Sequence, residues 1–109
     1  MKAHTLNGDQ NLANVKSTIS YILPGSRVIL FGSRSRGEND CRSDYDIIVV
    51  SNQNLDVKAK RRYASMIRKE LALLAIPVDV LVKTETDIYY YQDKIGSVVR
   101  EAMRTGVTL

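Results

Sequence analysis

Residues 31–50 read FGSRSRGENDCRSDYDIIVV, and the fold is best worked out from this stretch outward. The apolar run Val28-Ile29-Leu30-Phe31 leads into it as a buried strand and stops at Gly32-Ser33, where a tight turn can give way to a short helix. Backbone N–H groups at such a helix start point forward and favour an anion. The run Tyr45 to Val50 then reads as a second core strand with two aspartates, Asp44 and Asp46, at its entrance. Side chains along a strand alternate faces, so acids two residues apart point into one small volume. Like charges held that close raise each other's pKa unless a cation sits between them. A divalent metal is the simplest such cation.

The 109 residues predict one domain, 1–109, with residues 1–9 as a loose polar lead-in and no room for a separate substrate-binding domain. A hydrophobic fraction of 44% with 26% charged residues is globular. No apolar run approaches the roughly 20 residues of a membrane span. The N-terminus MKAHTLNGDQNLANVK lacks the apolar centre of a signal peptide. The lone Cys41 can form no internal disulfide, which points to a reducing, cytoplasmic setting. A net charge of +4 suits a polyanionic small molecule, an acidic partner or nucleic acid alike.

Outside the central stretch, Leu12, Val15, Ile19 and Ile22 recur at helical spacing from Asn11 to Leu23, and Pro24-Gly25 ends the pattern. Strand one follows at about Arg27 to Phe31, and strand two at about Asp44 to Val50. A long helix from about Asp56 to Leu74 carries the stripe Tyr63, Ile67, Leu71, Leu74, and Pro77 breaks it. Val78 to Val82 is a short β-branched strand interrupted by Asp79. Thr84-Glu85-Thr86-Asp87 opens a last helix reaching Gly106, in which Gly96 admits a break. The order helix, strand, short helix, strand, helix, strand, helix predicts an α/β (α+β) domain: a small mixed sheet with helices packed on it. Strand directions stay open at this level.

Three carboxylates can converge: Asp44 and Asp46 from strand two, Asp79 from strand three. An unpaired aspartate in the middle of Val78-Asp79-Val80 needs a cation or hydrogen bonds to offset its burial. Mg²⁺ suits hard oxygen ligands shared with substrate phosphates, and two such ions about 4 Å apart would clamp the attacking and leaving oxygens of a phosphoryl-type displacement. The plainer reading has Asp44 capping a turn with Ser43 and Asp79 pairing with an arginine. Gly32 and Gly37 have the outer spacing of a P-loop, but Glu38-Asn39 stand where lysine and serine or threonine are required. The dinucleotide pattern G-x-G-x-x-G is absent as well. What is left suits phosphate: Gly32 lets the backbone approach, Ser33 offers a hydroxyl, and Arg34 or Arg36 adds charge.

Gly32-Ser33-Arg34-Ser35-Arg36-Gly37, a spacer, and Ser43-Asp44-Tyr45-Asp46-Ile47 together resemble the signature of the DNA polymerase β nucleotidyltransferase superfamily, and Asp79 looks like its third carboxylate. The short chain resembles most the minimal nucleotidyltransferases (MNT), over about Leu12 to Met103. The resemblance implies a polymerase β palm-like fold. It also implies Asp44, Asp46 and Asp79 as catalytic metal ligands, and Gly32, Ser33, Arg36 and Ser43 at the nucleotide. The implied reaction is attack of a hydroxyl on the α-phosphorus of a nucleoside triphosphate, with Mg²⁺ (two ions) and ATP, and Asp79 helping to activate the hydroxyl. Stand-alone MNT proteins of this kind pair with a HEPN-domain partner, so the resemblance implies an antitoxin that places AMP on a HEPN toxin. Transfer to a small molecule such as an aminoglycoside, or neutralisation by contact without transfer, are the alternatives.

The remaining features carry less. The basic face of Lys58, Lys60, Arg61, Arg62, Arg68 and Lys69 reads as a solvated helix side, without the interleaved aromatics that nucleic acid would call for. Tyr89-Tyr90-Tyr91 cannot all be buried by one helix, which leaves two readings, a partial interface in a homo- or hetero-oligomer or simple packing with the hydroxyls reaching to solvent. His4, the only histidine, lies in the lead-in and has no catalytic role in this reading.

Overall fold

The computed structural model describes residues 10–32 and 44–109. Within them the chain forms α1 (Gln10–Ile22), β1 (Arg27–Phe31), β2 (Tyr45–Ser51), α2 (Val57–Leu73), β3 (Val78–Thr84), α3 (Glu85–Tyr91), α4 (Val98–Thr105) and β4 (Val107–Thr108). The strands make one sheet in the order β3-β2-β1-β4. β1 is antiparallel to both β2 and β4, whereas β2 and β3 run parallel. Parallel neighbours need a crossover long enough to return the chain, and α2 supplies it. The sheet is therefore mixed, as the element order predicts.

Strand alternation sorts the core into two layers. Tyr45, Ile47 and Val49 of β2 share one face with Val28, Leu30, Val78, Val80 and Val82, packed against Leu12, Val15 and Ile19 of α1 and Ala64, Ile67 and Leu71 of α2. Side chains as fully buried as Ile19, Ile47, Ile67 and Leu71 each contribute about 1.5–3 kcal/mol relative to exposure. The opposite face is smaller. Ile29, Ile48 and Val50 meet Ile88 of α3 and Val99 and Ala102 of α4, with Phe31 and Leu81 only partly covered at the margin. Asp46 and Asp79 belong to this second face by parity, beyond the cover that α3 and α4 give it among the described residues.

Local chemistry explains where the elements start and stop. Asp56 caps α2 by accepting the Ala59 N–H at 2.8 Å, and Ala75 at φ 59° with Pro77 behind it ends the helical path. At α3 the acidic start is a reciprocal capping box: the Asp87 N–H donates to Thr84 Oγ1 at 3.1 Å and the Thr84 N–H to Asp87 Oδ2 at 2.9 Å. The expected long final helix is two helices. Gly96 takes φ +88°, a region that favours glycine, and Ser97 then caps α4 through the Arg100 N–H. The sequence reading also omits β4, whose two residues are too few to show an alternation. Strand two begins at Tyr45 rather than Asp44, because the first ladder partner is the Tyr45 N–H, which donates to the Pro77 carbonyl at 3.1 Å. The short helix expected after Gly32-Ser33, the spacer, Cys41 and the lead-in with His4 lie outside the described residues.

Lys60 departs from the solvated role expected of it. Its ammonium lies 2.7 Å from Asp87 Oδ2 and ties α2 to α3. Burial works against the charge on Asp87, but the Lys60 hydrogen bond, the Thr84 N–H and the Lys60 charge outweigh it and hold the carboxyl below its ordinary value. A carboxyl depressed in the folded chain adds stability above its unfolded pKa, about 4, and that stability fades as pH falls through the lower folded value. Stability measured by urea unfolding should therefore drop across this acid range. Lys60→Met should flatten that part of the curve; an unchanged slope would show that the pair is idle.

Candidate active site

The site is set by the register of three strand ends. Asp46 of β2 stands opposite Asp79 in the parallel β2–β3 ladder and opposite Phe31 in the antiparallel β1–β2 ladder. Partners directly opposite share a face, so the Asp46 and Asp79 carboxylates emerge side by side. Asp79 does not interrupt the core, as its place between two valines suggests; it is exposed on the margin of the second face. Asp44 is exposed too, one residue before the ladder, and its charge acts on Asp46.

Asp46 is the member under most electrostatic load. Partial burial, then the charge of Asp79, then that of Asp44 all push its carboxyl above the ordinary range. Each of these costs is relieved by a cation among the acids. Among the described residues, no three acidic, histidine or cysteine side chains are drawn together as a ready-made metal cage. The donor set itself fits Mg²⁺: hard oxygens, clustered negative charge, one member partly desolvated, and an open side facing solvent.

Gly32 meets one of the acids directly. Gly32, immediately after β1, takes φ +77°, and a Cβ built on it would run into Asp46 Oδ2 and lie 3.2 Å from Asp46 Cγ. Glycine is thus required twice at this position, by the backbone conformation and by the carboxylate against it. Asp46 is in this way the common neighbour of Gly32 and of the third acid. Ser33, Arg34, Arg36 and Ser43, expected at the nucleotide, lie outside the described residues.

Sequence reasoning missed one supporting residue. Tyr45, between the two aspartates, must point to the opposite face by alternation, and it is buried there, 2% exposed, with its hydroxyl accepting from Asn11 Nδ2 at 3.4 Å. The ring anchors the start of β2 to α1 and so fixes the backbone from which Asp44 and Asp46 project. The alternation Asp-Tyr-Asp was the available signal.

A family model described as nucleotidyltransferase domain matches residues 12–104. No curated protein matches the sequence. Solved structures share the fold. A chain of a toxin-antitoxin with AMP-PNP is 23% identical with a TM-score of 0.59, covering 92% of this chain and 72% of that one. A mutant of the toxin-antitoxin MntA-HpeT gives 23% identity and a TM-score of 0.59 over 93% and 72%. A tri-AMPylated Shewanella oneidensis HEPN toxin in complex with MNT antitoxin gives 21% identity and a TM-score of 0.53 over 90% and 67%. The four-stranded mixed sheet with its helices is thus the nucleotidyltransferase fold of MNT antitoxins.

Proposed function

We propose, since this chain belongs to the nucleotidyltransferase domain family, that it moves AMP from ATP onto a hydroxyl of a HEPN-domain partner protein and so acts as the antitoxin of a toxin-antitoxin pair. The observation that carries the reading is the placement of Asp46 against both Gly32 and Asp79. Gly32 beside Asp46 supports a reading in which phosphate binds next to Mg²⁺. The solved relatives that hold AMP-PNP or an AMPylated HEPN toxin support adenylyl transfer and a HEPN partner. Among the described residues no helix is long and apolar enough to cross a membrane.

In the reaction the acceptor oxygen forms a bond to the α-phosphorus while the bond to the bridging oxygen of the β-phosphate breaks, and pyrophosphate leaves. Asp44, Asp46 and Asp79 would hold Mg²⁺, which when bound supplies positive charge for the phosphoryl oxygens. Gly32, having no side chain, lets the triphosphate approach the backbone at the end of β1, and Ser33 and Arg36 add a hydroxyl and a positive charge there. Asp79, exposed at the rim of the face, accepts the proton of the incoming hydroxyl. The protein thereby contributes mainly positioning and electrostatics.

The test is incubation of the pure chain with α-labelled ATP, Mg²⁺ and its co-expressed neighbour. Label on the neighbour, dependent on Mg²⁺, is the expected result. Neutralisation of the neighbour with no label on it would replace transfer by simple contact, and label on an added aminoglycoside in preference to protein would replace the acceptor class.

A further inference from the structure

β3 is an edge of the sheet. It pairs with β2 on one side, and among the described residues its seven residues have no strand on the other. Beside it runs a groove of about 590 Å³. The lining of that groove contains Val80 and Val82, whose side chains enter the α1–α2 layer, and also Leu81 and Lys83, which are on the opposite face. A groove that touches both faces of one strand must cross that strand's outer edge. α2 forms one wall through Arg61, Ala64 and Arg68, and α3 forms the other through Asp87 and Tyr91.

The charge of the groove is one-sided. Among the described residues, Lys60, Arg61, Arg68 and Lys83 line it against a single acid, Asp87, and that acid is committed to Lys60 at 2.7 Å. Arg61 and Arg68 are exposed, one on each side of the buried Ala64. An open strand edge presents N–H and C=O groups at the spacing of another strand. Cations along both walls favour acidic side chains on whatever pairs there.

We infer that the β3 edge is a docking site for an extended acidic segment of a partner protein, which adds to the sheet as a fifth strand alongside residues 79–82 and ends at the Lys60–Asp87 pair that bridges α2 to α3. Residues on one face of the added strand meet Arg61 and Arg68, and those on its other face meet Lys83 and Tyr91. Single-stranded nucleic acid fits less well, because Tyr91 is the one aromatic ring in the lining, whereas such binding rests on successive stacking platforms. The inference goes beyond the transfer reading and does not depend on it. It does bear on it: Asp79 immediately precedes Val80 in β3, so a segment docked on this edge is held beside the acids.

The experiment uses the full chain with neither nucleotide nor Mg²⁺, so its failure would leave the transfer reading untouched. A labelled octapeptide of alternating threonine and glutamate is titrated by fluorescence anisotropy, and amide hydrogen exchange is followed with and without it. Saturable binding is expected, with slowed exchange confined to β3 and an affinity at least about tenfold weaker in the Arg61→Glu, Arg68→Glu double variant, a loss on the scale of close charge pairs at interfaces. Both replaced side chains are exposed, and circular dichroism checks that the variant folds. The inference is overturned by any of these results: no saturable binding, equal binding of a threonine-lysine octapeptide, tighter binding of oligouridylate, protection outside β3, or indifference to the double charge reversal.

Discussion

Asp46→Asn should cut nucleotide transfer by at least about a thousandfold, the scale of losing a principal charge-stabilising group at a reacting centre, while the chain without divalent ions becomes more stable. The second half of this expectation follows from the electrostatics. Burial, Asp79 and Asp44 raise the Asp46 carboxyl above its ordinary value, so its charged form is disfavoured in the folded chain relative to the unfolded one. A raised carboxyl favours folding most at low pH, and that contribution is lost as pH rises through the folded value. At neutral pH Asp46 is therefore a liability in the absence of a cation, and asparagine removes the charge while keeping the shape. Thermal melts in chelator should place the variant a few degrees above the parent at neutral pH, with the gap closing as the solution is acidified. Under the proposed ligand set only the parent keeps all three carboxylates, so added Mg²⁺ should reverse the order, because binding to the folded state alone raises its stability. A variant that melts lower than the parent in chelator would refute the account of charge crowding. One that still transfers AMP would remove Asp46 from the chemistry.

Part of the candidate site, Asp46 beside Gly32 and Asp79, was legible in the sequence for identifiable reasons. Asp44 and Asp46 stood out because carboxylates at the mouth of an apolar strand are expensive unless used, and Gly32 because it followed an apolar run with no P-loop lysine behind it. The helices could be read where periodicity was strong, as in Leu12, Val15 and Ile19, all buried in α1. What escaped depends on tertiary context. Strand direction is not written in a strand's own pattern; it follows from α2 carrying the chain back to start β3 beside β2. Lys60 looks like its basic neighbours in sequence, and only the approach of α3 gives it Asp87 as a partner. Asp79 resembled a core acid because two valines flank it, yet the helical cover of its face reaches Ile48 and Leu81 and stops short of it. Its exposure is a property of where α3 and α4 end, which no local pattern contains.

Gly32→Ala should fail differently, losing stability and activity together. At φ +77° an alanine costs about 1–2 kcal/mol from backbone sterics alone. Its Cβ would also overlap Asp46 Oδ2 and lie 3.4 Å from Asp46 Cβ. The carboxylate is the end of a short side chain and can turn away, so the fold should survive with a loss of roughly 1–3 kcal/mol. The site should not survive as well: a carboxylate turned from its position by about 1 Å is enough for a hundredfold loss of rate. The two contributions can be separated. In an Asp46→Ala background the clash partner is gone, and the stability cost of Gly32→Ala should shrink to the backbone part, a non-additivity that urea unfolding of the four proteins measures directly. Strict additivity would mean that the glycine and the carboxylate do not touch in solution. The geometry on which the active site is built would then be wrong at its centre, whatever Asp46→Asn does to the rate.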